Sequence, residues 1–378
     1  MNKIVILLCL FIVFGNYAKA ENSSKVKVNT SSKNLIQGAT FDFLELDRKM
    51  ESMRVKHEVP AITVAIVRNG KLVYINCYGY QDQENKIQAV NKNLFRIASI
   101  SKPVTVVALL KLMQENKLSM DDKVFGAGSI LGEDFGKMPD GSNWDKITIR
   151  HLIEHKSGLH NVPDDAMFRY KGLSNKQVIE RVIAERALTT VPGEQYYYSN
   201  TGYNILGRVV EKITGKGYEE YIKSEILLPC GITRMRIAGN TLEERVEDEV
   251  IYFQPNEQGW TYNMDVRRMD SHGGWIASSV DLARFIVHVD RMTTVADIVD
   301  AEYLSQTYMG NAQWSHTGSL PGTATMLTRM NDEFSFVVLM NHRSGIEGFW
   351  NDISSEMQLV IKERNSWPDI DLFKKVKW

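Results

Sequence analysis

The sequence predicts a two-lobed α+β fold: an antiparallel sheet assembled from both ends of the chain, flanked by helices, with a mainly helical lobe inserted at roughly residues 117–270. Three observations carry this expectation. Runs rich in β-branched residues cluster near the two ends, at residues 61–67 and 71–77 and again at 323–330 and 334–341. Between them, residues 174–188 and 203–214 place apolar side chains three and four apart, the helical period. A long apolar helix beginning near Ser99 stands where the two regions meet, with only Thr105 and Lys111 polar between Val104 and Met113. Strands from both ends close most economically as one sheet covered by helices. A cleft between the lobes is the expected place for a site.

In chain order, residues 1–20 come first. Lys3, an apolar run over residues 4–14 and the small-x-small triplet Ala18-Lys19-Ala20 read as a secretory signal cleaved near Ala20. The run is too short to span a bilayer, which needs about 20 residues. The mature chain is therefore expected to be exported, periplasmic or secreted. Residues 21–40 are rich in Ser, Asn and Lys and read as a flexible lead, leaving 41–378 as the folded domain. Phe41, Leu44, Met50 and Met53 mark a first helix over residues 41–58. The strand pair around Asn69-Gly70 is the clearest hairpin signal in the chain. Residues 126–143, rich in Gly and Asp, read as a surface excursion. Gly215 ends the second helix of the inserted lobe. Asn331-Asp332 is the turn of a second hairpin, and Phe349, Ile353, Met357 and Ile361 define a closing helix over residues 346–363.

Composition excludes several classes of function. The 378 residues are 43% hydrophobic and 24% charged with a net charge of -1, so no basic excess points to nucleic acid. No second apolar stretch is long enough for a stable membrane span. Cys77 and Cys230 are far apart in sequence and are read as two separate buried thiols. A monomer is expected.

Three short stretches carry chemistry. Ser99-Ile100-Ser101-Lys102 puts a hydroxyl and an amine one turn apart at a helix start, where the helix field favours a developing alkoxide. Tyr196-Tyr197-Tyr198-Ser199-Asn200 precedes the helix at 203–214, which Asn200 or Thr201 is expected to cap. A tyrosine beside a lysine can carry a proton, and Asn200 offers a carboxamide for a substrate amide. Trp314-Ser315-His316-Thr317-Gly318-Ser319 leads into the last hairpin and suits a substrate lying along a strand edge. There Gly318 permits close backbone approach, and the N–H of Ser319 with that of Ser99 could form a two-donor oxyanion hole.

The order Ser-x-x-Lys, Tyr-x-Asn, His-Thr-Gly resembles the serine β-lactamases and penicillin-recognising D,D-peptidases, in the class C β-lactamase, D,D-carboxypeptidase and esterase branch. Other pieces agree in order: residues 147–159 ending in Ser157-Gly158-Leu159, Pro192-Gly193-Glu194, and residues 273–283. The resemblance implies a β-lactamase/transpeptidase-like fold from about Phe41 onward. It implies Ser99 as the acylated nucleophile, Lys102 and Tyr198 sharing the proton work, and Asn200 holding a substrate amide. His316 and Thr317 would line the substrate carboxylate pocket, with Gly318 and Ser319 beside the oxyanion. Which of Lys102 and Tyr198 is the base stays open at this stage. Most class C β-lactamases carry lysine at the position of His316, and a largely neutral imidazole grips a carboxylate less firmly. The expected activity is therefore hydrolysis of D-amino-acid peptides or small esters, with a β-lactamase and a non-catalytic penicillin- or wall-fragment-binding protein as alternatives. The expected partner is a small peptide, ester or β-lactam, or peptidoglycan. No cofactor is expected.

His151-Leu152-Ile153-Glu154-His155 also fits a His-x-x-Glu-His zinc pattern. The competing account, packing at the start of the helical lobe, is preferred, and no metal is expected. Asp164-Asp165 and Asp121-Asp122 read as solvated loop carboxylates, and Trp275 as a core residue or a cleft wall.

Overall fold

The computed structural model describes residues 43–161 and 164–376. The expected signal (1–20), the lead (21–40) and Phe41 lie outside the described residues. Strands β1 (Ala61–Arg68) and β2 (Lys71–Asp82) form the expected hairpin. Asn69 and Gly70 at its tip have φ of 48° and 73°, the two left-handed residues that a tight two-residue turn needs. β2 runs on past Cys77 to pair with β3 (Ile87–Gln88). Two-residue strands β4 (Phe95–Arg96) and β5 (Arg236–Ile237) flank β6 (Trp275–Ala277) in a small second sheet that the sequence did not announce. Near the other end of the chain lie β7 (Trp314–Leu320), β8 (Thr323–Arg329) and β9 (Phe334–Met340). β9 pairs antiparallel with β1, so the large sheet runs β3-β2-β1-β9-β8-β7 and joins the two ends of the described chain as expected.

Both faces of the sheet's central strands are buried. Ile62, Val64, Ile66, Phe336 and Val338 pack on one side with Met50 of helix Leu44–Lys56 and Ile353 of helix Phe349–Glu363. Ala65, Val67, Val337 and Leu339 pack on the other with helices Ser101–Gln114 and Ser279–Val287. That double burial explains why β1 reads as an apolar run broken only by Thr63 instead of an alternating one. The inserted lobe contributes helices Ile149–Ile153, Asn175–Glu185 and Asn200–Thr214, the last ended by Gly215 at φ 68°.

Helix Ser101–Gln114 is buried from Ser101 to Leu110. Thr105, polar and buried in its second turn, is satisfied by Tyr218 Oη and by the carbonyl of Ser271, each at 2.6 Å. The helix begins at Ser101, and Ser99 sits just before it in a 3₁₀ turn, Ala98–Ile100. Cys77 and Cys230 are both free and buried, and burial pushes each thiol up to about 12. Trp275 lies in the core, fully buried in β6. Among the described residues no helix is long and apolar enough to cross a membrane.

Candidate active site

The turn that carries Ser99 is locally strained and externally tied. Ala98, a non-glycine, has φ 48°, a conformation that costs about 1–3 kcal/mol and persists only where surroundings impose it. Ser101 Oγ donates to Ala98 O at 2.7 Å and closes the turn. Ile97 N–H reaches Trp275 O at 2.9 Å, and Ile97 O accepts Thr325 Oγ1 at 2.9 Å. The small second sheet thus has a purpose: it anchors the residue two before Ser99. β7, the edge strand of the large sheet, comes close because Gly318 carries no side chain. A Cβ there would stand 2.2 Å from Ile97 O and 3.1 Å from Ala98 Cβ. The group that approaches Gly318 closely in the structure is the Ser99 turn.

Two side chains converge on Ser99. Lys102 Nζ lies 3.1 Å from Ser99 Oγ, and Tyr198 Oη donates to the same oxygen at 2.7 Å. Lys102 is fully buried, and desolvation pushes its pKa down to about 7, with Asp165 pulling it back up. Burial moves Tyr198 the other way, well above the ordinary phenol range, against the pull of its bond to Ser99. Lys102 also donates to Asn200 Oδ1 at 2.7 Å and to His272 O at 2.9 Å. A neutral amine has two N–H bonds and one lone pair. With both N–H bonds committed to those acceptors, the lone pair faces Ser99.

Asn200 is tied at both ends of its carboxamide. Its Nδ2 donates to Asp165 Oδ2 at 2.6 Å, which fixes Oδ1 toward Lys102. The helix cap expected from Asn200 or Thr201 is supplied by Ser199, whose Oγ accepts Gly202 N–H at 3.1 Å. The Asn200 carboxamide instead links Asp165 to Lys102. Asp165, read from sequence as a solvated loop carboxylate, is instead the group that orients Asn200, and its other oxygen caps Met167 N–H at 2.9 Å. Nothing in its local sequence marks it, because its partner stands 35 positions away. Asp164 does behave as a surface carboxylate, pairing with Arg169 and Arg186.

The turn opens into a cleft of about 1030 Å³ between the lobes. Ser99, Tyr198, Asn200, His316, Thr317 and Ser319 all line it. His316 is half-buried in β7, with Nδ1 against Thr317 O at 2.9 Å. Desolvation, then the neighbouring Lys102, pushes its pKa down to about 4, so it is uncharged at neutral pH. Lys156 on the cleft wall is paired with Glu154 at 3.0 Å.

The two histidines of the zinc-like pattern have other duties. His151 Nδ1 receives Thr148 N–H at 3.3 Å in a helix-capping box, and His155 Nδ1 receives Ser199 N–H at 3.1 Å. Sequence reading also passed over His272, whose carbonyl holds Lys102.

Comparison with known proteins identifies the family. Protein flp of Staphylococcus aureus (strain N315) is 32% identical over 191 residues, 50% of this chain and 37% of its own length. The chain thus spans little more than a third of that relative. Penicillin-binding protein 4* of Bacillus subtilis (strain 168) is 25% identical over 336 residues, 79% of this chain and 71% of its own. Among solved structures, the D-amino acid amidase from Ochrobactrum anthropi SV3 superposes with a TM-score of 0.69 at 20% identity, over 85% of this chain and 100% of its own, a likeness of fold. The Beta-lactamase family model matches residues 46–354. With that match over most of its length, and its Ser-x-x-Lys turn, tyrosine and strand edge gathered at one cleft, the chain belongs to the Beta-lactamase family of serine hydrolases.

Proposed function

We propose that the chain is an exported hydrolase that forms an acyl-enzyme on Ser99 and acts on D-amino-acid peptides, amides or small esters. One observation carries the reading: a fully buried Lys102 and a half-buried Tyr198 converge on one hydroxyl, Ser99 Oγ. Lys102, whose pKa burial lowers to about 7, takes the serine proton in its neutral form as Ser99 Oγ bonds to the substrate carbonyl carbon. Tyr198 stays a phenol and hands a proton through its hydroxyl to the leaving group as the carbon–nitrogen or carbon–oxygen bond breaks. The proton held by Lys102 then refills Tyr198. A water molecule attacks the ester, gives its proton to the same pair, and Ser99 leaves reprotonated. The N–H groups of Ser99 and Ser319 would hold the oxyanion.

The D-specific reading draws support from the fold likeness to a D-amino acid amidase. An uncharged His316 and a Lys156 already paired with Glu154 favour leaving groups without a carboxylate over a β-lactam. Intact-mass and peptide mass spectrometry test both parts. Exposure to a D-aminoacyl ester, a D-amino acid amide, a D-Ala-D-Ala peptide and a penicillin should place an acyl mass on the Ser99 peptide, absent in Ser99→Ala. The intact mass also reads cleavage after Ala20. Rapid turnover of penicillin, with no D-peptide, amide or ester consumed, would favour the β-lactamase instead. No adduct from any compound would remove the acyl-enzyme.

His316→Lys is expected to lower KM about two- to tenfold for carboxylate-bearing substrates and to leave neutral amides unchanged. Equal gains on both substrate types would contradict the assignment of His316 to the carboxylate position.

A further inference from the structure

We propose that His155 is the positioning residue for Tyr198, holding the backbone on both sides of that tyrosine and packing on its ring, and so setting where the phenol hydroxyl meets Ser99. The inference rests on the acyl-enzyme reading of Ser99. Tyr197 N–H donates to His155 O at 2.7 Å. Ser199 N–H donates to His155 Nδ1 at 3.1 Å. The imidazole lies 4.5 Å from the Tyr198 ring and 5.0 Å from Tyr203, centroid to centroid. One residue thus grips positions 197, 198 and 199. The grip is itself fixed, because His155 follows helix Ile149–Ile153 in a left-handed conformation, φ 58°, and is 8% exposed.

The position demands two properties together. It needs a flat face for Tyr198 and an acceptor in the ring plane for Ser199 N–H. Phenylalanine has the face alone and asparagine the acceptor alone. Imidazole has both while Nδ1 is unprotonated. Burial first, then Lys102 and His316, pushes His155 down to about 3. The ionisable groups around it are those two and the phenols of Tyr196, Tyr198 and Tyr203. The acceptor therefore persists across the working pH range. The same bond steadies Ser199, which caps helix Asn200–Thr214 and precedes the asparagine that orients Lys102. The histidine that looked like half of a zinc pair is the clamp of the proton-carrying loop.

A fluorophosphonate probe tests this without knowledge of the natural substrate, since it phosphonylates a nucleophilic serine and releases fluoride. The labelling rate of Ser99 is read by mass spectrometry in wild type, His155→Phe and His155→Asn, each also in a Tyr198→Phe background. His155→Phe should slow labelling about tenfold to hundredfold, the scale of a misplaced catalytic group. His155→Asn, which restores an acceptor near Nδ1, should recover to within about fivefold of wild type. In the Tyr198→Phe background, His155→Phe should add less than about threefold, because its effect acts through the missing hydroxyl. The midpoint of the pH–rate curve should stay in place in every His155 variant. Labelling of His155→Phe at the wild-type rate, no rescue by asparagine, or a full additional loss without the Tyr198 hydroxyl would each overturn the proposal. A moved midpoint would do the same, by making His155 a proton carrier. A wild-type protein that is never labelled at Ser99 would remove the acyl-enzyme reading as well, and so is told apart from failure of the clamp alone.

Discussion

Lys102→Met should slow acylation of Ser99 by about 10²–10⁴-fold, the usual worth of a placed acid–base group. Methionine is one atom shorter but keeps the unbranched apolar stem, so the change is chiefly one of chemistry. It leaves two acceptors, Asn200 Oδ1 and His272 O, without the donor they share, at about 1–3 kcal/mol each if unmet. Against that, the variant no longer buries an amine that desolvation disfavours in its charged form. Melting temperature measured beside the rate separates the two effects. The wild-type pH profile makes the same claim without a mutation. Lys102 must be deprotonated to accept the serine proton and has a pKa of about 7. The rate should therefore fall as pH drops through 7, reaching about one hundredth of its plateau two units lower. His155 and His316 are held down at about 3 and about 4 and stay neutral in that window. Tyr198 is held above the ordinary phenol range, so it does not ionise there. A flat profile between pH 5 and 8, or a methionine variant labelled at the wild-type rate, would take the base role away from Lys102.

The parts of this arrangement that could be read in advance are those with local causes. The Asn69-Gly70 turn was legible because two left-handed residues in succession have few other uses. Helix Ser101–Gln114 was legible because burial on nearly all sides leaves a composition with almost no polar residue. Ser99, Lys102, Tyr198, Asn200, His316, Thr317 and Ser319 were each tied to a short motif, and the structure brings all of them to one cleft or its wall. What escaped has long-range causes. Asp165 reaches Asn200 across 35 positions, and His155 reaches Ser199 across 44. Neither spacing has a local signature. Strands β4 and β5 have two residues each, too few for alternation to exist. One signal was present and unread: Pro321-Gly322, with Gly322 at φ 74°, is the turn joining β7 to β8. Proline followed by a left-handed glycine is a type II turn signature. It would have identified residues 314–320 as a full strand and placed His316 and Ser319 on a rigid sheet edge.

Gly318→Ala should damage this site more than any other single methyl group added to that edge. The new carbon would fall 2.2 Å from Ile97 O and 2.3 Å from Thr325 Oγ1, well inside contact distance. Those two atoms are hydrogen-bonded to each other at 2.9 Å, so neither can retreat without breaking the bond. Ile97 is further pinned through its N–H to Trp275 O. Relief must come from β7 moving outward or from the Ser99 turn moving inward. Ala98 is already in a strained left-handed conformation, which leaves the turn little freedom to adjust. Either movement changes the distance between Ser99 and the Ser319 N–H, the two donors assigned to the oxyanion. A stability loss of about 1–3 kcal/mol is expected for the overpacking, read from chemical denaturation. A drop in acylation of about 10²-fold is expected on top of it for displacement on the ångström scale. Adding Thr325→Ala should return part of the stability, because one of the two clashes disappears. It should not return the rate, because the clash with the Ile97 carbonyl remains. An alanine variant with unchanged denaturation and wild-type acylation would mean that β7 does not set the geometry of the Ser99 turn. The close fit of an edge strand against the Ser99 turn would then be packing alone.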